Sequence, residues 1–137
     1  MGQITVSVRL ENTIDRGVFE QGFRDESSVR RTSVDAIVDT GAVTLVLPQN
    51  VVERLGLATR RTVVVTYADE RKEERPVAGP LTIQIGDRFM TMDCVVGPPL
   101  SEALVGQVVL ESLDLIADCT NQTLIPRMPD YPVLNVK

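Results

Sequence analysis

The first apolar periodicity of the chain has a repeat of two. Ile4-Thr5-Val6-Ser7-Val8-Arg9-Leu10 places an apolar side chain at every second position, which predicts a strand with one buried face. Residues 11–32 are polar and charged, with Gly17 and Gly22 and only scattered apolar residues, and read as a long hairpin connection or a mobile arm. From Ser33 to Val38 the pattern turns almost continuously apolar, which predicts a strand buried on both faces. Gly41 breaks that strand and permits a tight turn, and the chain returns through Leu45-Val46-Leu47. Pro48 suits the first turn of a helix that runs to Leu55, with Val51, Val52 and Leu55 on one face and Gly56 as the residue just past its end.

The second half repeats the strand signal with turn chemistry between. Thr62 to Tyr67 is strongly β-prone, Ala68-Asp69-Glu70-Arg71 is a turn, and Lys72 to Ala78 is the returning strand. Gly79-Pro80 opens a further strand, Leu81 to Ile85. Gly86-Asp87 turns it into Arg88 to Val96, where Met90, Met92, Cys94 and Val96 share one face, with Met90 and Met92 as core filler. After the rigid Gly97-Pro98-Pro99 loop come a short buried strand, Ala103 to Gly106, and a helical turn or two from Val108 to Leu113. Asp114 to Asp118 and Thr123 to Ile125 form a hairpin around Thr120-Asn121-Gln122. The tally predicts an all-β domain, a small closed or partly closed barrel with one or two short helices. The domain spans residues 1–126, and residues 127–137 form an extended, proline-containing tail.

Composition narrows the chemistry. The chain has 137 residues, 43% apolar and 24% charged, enough for one domain with its own core. The net charge of −5 disfavours nucleic acid and anionic membranes as partners. No apolar run is long enough to span a bilayer and no signal peptide is visible, so a cytoplasmic location is expected. Cys94 and Cys119, the only two cysteines, make no disulfide framework and read as buried free thiols in a reducing compartment. The chain has no histidine. That removes Ser-His-Asp and Cys-His catalysis and the HExxH zinc site, and leaves Asp, Glu, Lys, Tyr or Cys for acid/base work. No metal site and no cofactor are expected.

One carboxylate stands where carboxylates are costly. Asp39-Thr40-Gly41-Ala42 lies between Ala36-Ile37-Val38 and Val43-Thr44-Leu45-Val46-Leu47, so Asp39 ends a hydrophobic strand and opens a glycine turn. Further on, Leu104-Val105-Gly106 leads into Val109-Leu110. These two elements, with a hairpin between them, resemble the signatures of retropepsin-like (clan AA) aspartic proteases, most closely the small stand-alone bacterial members. The resemblance implies an acid-protease barrel whose active site is shared by two copies. It assigns Asp39 as catalytic, Thr40, Gly41, Ala42 and Gly106 as its support, and Tyr67, Ala68, Asp69 and Glu70 to a flap that binds substrate. Departures from the viral pattern stand at Val43 and Gln107, where those relatives carry an acidic residue and an Arg, and at the flap tip, which is charged rather than glycine-rich.

A chain with one Asp-Thr-Gly needs a second carboxylate from elsewhere. Asp118-Cys119-Thr120 lacks the glycine, so the expectation is a homodimer in which two Asp39 side chains meet over a polypeptide substrate. Aspartic endopeptidase is therefore the expected function. A non-catalytic dimeric peptide-binding module on the same fold is the alternative.

Overall fold

The computed structural model describes residues 3–136. The alternating N-terminal segment forms β1 (Thr5–Asn12), which pairs antiparallel with β2 (Arg31–Val38) from Thr5 opposite Ile37 to Glu11 opposite Arg31. Between them the expected polar connection is partly helical: α1 (Thr13–Glu20) is followed by a short 3-10 turn, Glu26–Ser28. The reason is local. Asn12 caps the helix by accepting the Asp15 N–H at 3.0 Å, while Asp15 and Arg30 form an ion pair at 2.8 Å that folds the arm back. No residue of α1 is fully buried, and its few apolar residues, Ile14, Val18 and Phe19, lie on one side of a helix only two turns long and set among charges, which is easily read as scattered.

After β2 come β3 (Val46–Pro48), α2 (Gln49–Leu55), β4 (Ala58–Thr66), β5 (Lys72–Ile85), β6 (Arg88–Gly97), β7 (Ala103–Val105) and α3 (Gln107–Leu113). Gly56 takes the left-handed conformation just past α2, and Val51, Val52 and Leu55 face inward, as the periodicity implied. Gly79-Pro80 does not open a new strand. It lies inside the 14-residue β5, where a register shift between Ala78 and Leu81 absorbs the proline's missing N–H.

The strands close into a ring. The order β1-β2-β7-β3-β6-β5 returns to β1 through antiparallel pairs from Arg9–Gln84 to Asn12–Leu81, and β4 hangs on β5 outside that circle. The result is a six-stranded barrel with three short helices, all-β as the sequence pattern required and with one helix more than it suggested. Val8, Leu10, Leu45, Leu47, Leu81, Ile83, Val105 and Val109 fill its interior, and Met90 and Met92 pack against them. In β2 only Ala36 is fully buried, and Arg31, Ser33 and Asp35 are exposed, so the strand is not buried on both faces.

The remaining pair, β8 (Leu115–Asp118) and β9 (Thr123–Pro126), forms its own antiparallel ribbon. Cys94 is buried, which pushes its thiol up to about 12. Cys119 is exposed on the β8–β9 turn, contrary to expectation, since its apolar neighbours lie in the strand before the turn and not over it. The tail is pinned at three points. Arg127 pairs with Asp114 at 2.6 Å, the Val133 N–H donates to Asp114 at 2.8 Å, and the buried Arg88 guanidinium donates to the carbonyls of Leu113, Asp114 and Met128. None of the described helices is long and apolar enough to cross a membrane.

Candidate active site

Asp39 sits one residue beyond β2, where the strand's ladder ends. The Val38 N–H donates to Ile4 O on one side (2.8 Å), and the Asp39 N–H donates to Val105 O on the other (2.9 Å). The second bond extends the parallel pairing of β2 with β7, in which Ala36, Ile37 and Val38 face Ala103, Leu104 and Val105. The strand thus delivers Asp39 directly beside the end of β7, although more than sixty residues separate them in sequence.

The turn itself is held by two bonds. Asp39 Oδ1 accepts the Gly41 N–H at 2.9 Å, and the Asp39 carbonyl accepts the Ala42 N–H at 3.0 Å. Asp39 is half-buried, Thr40 and Gly41 are exposed, and Ala42 is half-buried. The Asp39 carboxylate accepts no other hydrogen bond from the described residues, which leaves its second oxygen open to solvent or to another group.

The loop is then joined to α3. The N–H groups of Gln107 and Val108 donate to the carbonyls of Ala42 and Val43, both at 2.9 Å. Helices leave their first N–H groups without internal partners, and here the loop supplies them. Gly106 is the hinge of this contact. A Cβ on it would lie 2.6 Å from Ala42 O and 2.7 Å from Thr44 N, and closer still to Thr44 O, all of them backbone atoms that cannot swing aside. Asp39, Gly41, Ala42 and Gly106, singled out from sequence, are therefore brought into one contact set. Beside them, Val43 and Val108 are joined by a backbone bond and leave apolar side chains exposed.

Tyr67, Ala68, Asp69 and Glu70 lie apart from that set, at the far end of the β4–β5 hairpin. Tyr67 closes the turn with both backbone groups: its N–H donates to Arg71 O at 2.8 Å, and its carbonyl accepts the Glu70 N–H at 2.9 Å. Glu70 takes a left-handed backbone, φ 67°. Ala68, Asp69 and Glu70 are exposed and Tyr67 is half-buried. Sequence reasoning missed the backbone role of Gln107 and Val108 and the side chains of Glu73 and Arg75, which contact Tyr67 or its neighbours. Glu73 and Arg75 have only alternation along the returning strand as a sequence signal, and the backbone role of Gln107 and Val108 has none. Among the described residues no group of three or more Cys, Asp or Glu side chains is placed to hold a metal ion.

The family model described as "gag-polyprotein putative aspartyl protease" matches residues 26–112, well over half of the chain. The chain belongs to this retropepsin-like aspartyl protease family. The matched span contains the Asp39 loop, the β4–β5 hairpin and Gly106. Among solved structures, the EIAV protease complexed with the inhibitor HBY-793 is similar in fold, with a TM-score of 0.56 over 82% of this chain and 88% of that one, at 19% identity. No curated protein matches the chain in sequence.

Proposed function

We propose that the protein is an aspartic endopeptidase of the small stand-alone bacterial type, active as a homodimer with Asp39 as its catalytic residue. The carrying observation is the Asp39-Thr40-Gly41-Ala42 turn fastened to Gly106 and the first N–H groups of α3, inside a chain of the aspartyl protease family. That arrangement holds a carboxylate at a fixed place on the surface with one oxygen uncommitted.

One such carboxylate accepts a proton from water but cannot also donate one to the scissile carbonyl. Two of them about 3 Å apart cannot both be ionised and hold one proton between them. In the proposed dimer, the ionised member takes a proton from a bound water and the protonated member hydrogen-bonds to the carbonyl oxygen as it becomes tetrahedral. The shared proton belongs to the pair and to neither residue alone. Thr40, Gly41 and Ala42 set the position of the carboxylate, and Gly106 keeps the loop seated. The exposed Thr40, Val43 and Val108 border the surface where the second copy would lie. The hairpin tip at Tyr67, Ala68, Asp69 and Glu70 would cover an extended peptide and exclude water from it. The folded unit doing this is residues 1–126, with 127–137 as its tail.

The test is cleavage of a mixed peptide library between pH 3 and 7 by the wild type and by Asp39→Asn. Products that appear with the wild type and vanish with Asp39→Asn support the reading. Equal product patterns for the two proteins, or none for either, reject it and leave the peptide-binding module.

A further inference from the structure

The β4–β5 hairpin has two unlike faces. Register pairs Val63 with Arg75, Val64 with Glu74 and Val65 with Glu73. Val63, Val65, Tyr67, Glu73 and Arg75 are half-buried, whereas Val64, Thr66, Lys72 and Glu74 are exposed. A hairpin tip in water has no need of a charged pair on its covered face, since a carboxylate and a guanidinium there lose hydration for little return. Here the charges form a continuous chain. Tyr67 Oη donates to Glu73 Oε1 at 3.2 Å, Arg75 Nη1 donates to the same oxygen at 3.3 Å, and Arg75 Nε donates to Val96 O at 2.8 Å.

The last bond is placed where the hairpin leaves the barrel. The β5–β6 pairing begins at Val77 opposite Val95, so the strand on the Arg75 side of that point has no ladder to β6. The Arg75 guanidinium reaches back to the β6 backbone in place of that ladder. At the other end, Tyr67 closes the turn with its backbone and carries the Arg71 guanidinium 4.5 Å above its ring. Partial burial, with the Glu73 carboxylate beside it, holds the Tyr67 phenol above its ordinary value, and a phenol, protonated at neutral pH even without that shift, serves as the donor.

We propose that Glu73 is a positioning residue that ties the hairpin tip, through Tyr67, to Arg75 and so to the barrel wall. The glycine-free tip is held at a set height by side chains along one face and does not depend on a pliable backbone for its placement. That this height matters for peptide binding rests on the protease reading; the tie itself does not.

Amide hydrogen exchange on the full chain tests the tie without any substrate. In Glu73→Ala the amides of residues 68–72 exchange about tenfold faster and in Tyr67→Phe about fivefold faster, while core amides such as those of Leu81 and Val105 keep their protection. The double variant exchanges no faster than Glu73→Ala alone, because both changes cut one chain. Glu73→Gln keeps an acceptor oxygen and restores most of the protection. Wild-type exchange at the tip in both single variants, or effects that simply multiply, overturns the tie. On any peptide the wild type cleaves, Glu73→Ala raises KM several-fold with a smaller change in kcat. Asp39→Asn abolishes turnover and leaves tip exchange unchanged. Fast tip exchange in Glu73→Ala together with a wild type that cleaves nothing supports the tie and rejects only the protease reading.

Discussion

At the residue scale, the Asp39 loop packs its backbone against the place where a Gly106 side chain would stand. Gly106→Ala puts a methyl group into three backbone atoms at once. Overpacking of this kind costs about 1–3 kcal/mol. We expect urea unfolding to show a loss in that range, with peptide cleavage falling further than stability because the displaced atoms are those of the Asp39 loop. Glu70→Gly should act in the other direction. It relieves a left-handed backbone and gains up to about 1 kcal/mol in the same measurement, at the cost of a looser turn. Asp39 was legible in the sequence because an ionisable side chain ended an apolar run. Gly106 was legible only by resemblance, since a packing glycine leaves no periodic signal. The bond of Tyr67 to Glu73 was not legible at all. It depends on which face of a hairpin is covered, and strand register alone does not say.

At the element scale the strands were read well and α1 was not. Strands in this chain bury one face, so alternation exposes them, and the helix after β3 has its apolar stripe and its terminal glycine. By contrast, α1 buries no residue and is held from outside by polar bonds. Asn12 makes two of these: Oδ1 accepts the Asp15 N–H, and the buried Nδ2 donates to Leu55 O at 2.8 Å. One side chain therefore caps the start of α1 and the end of α2. Asn12→Ala removes a cap and strands a buried carbonyl, an expected loss of about 2–3 kcal/mol by thermal or urea unfolding. Asn12→Asp keeps the cap acceptor and loses the donor, so it should recover only part of that loss. The continuous β5 was obscured by Gly79-Pro80, whose turn chemistry reads as a boundary until the bulge that accommodates it is seen.

At the scale of the whole molecule, acid should loosen the chain's two clasps. Asp114 is held below the usual carboxylate range by Arg127 first and by the Val133 N–H second; Glu11 is lowered chiefly by Arg16, and Asp15 chiefly by Arg30. A lowered folded value means the stabilisation is fully present above the unfolded carboxylate range, near pH 4, and is lost as pH falls through the folded values. Stability measured by urea unfolding should thus be flat from pH 7 to about 5 and decline below, with Asp114→Asn flattening part of the decline. The proposed pairing of copies is checked by sedimentation over a range of concentrations. Activity per mole should rise with the dimer fraction, and Val43→Lys, which places charge on a side chain that is 73% exposed beside the Asp39 loop, should shift the equilibrium to monomer.

The parallel pairing of Val38 with Val105 also bears on the order of assembly. Contacts between segments so distant in the chain form only after the intervening loop has closed, which makes them late and slow events. A nascent chain emerging from the ribosome holds an unsupported Asp39 turn until α3 has been synthesised and docked. The Asp39 carboxylate is therefore seated only with completion of the barrel, and an unfinished chain carries it without its backbone support.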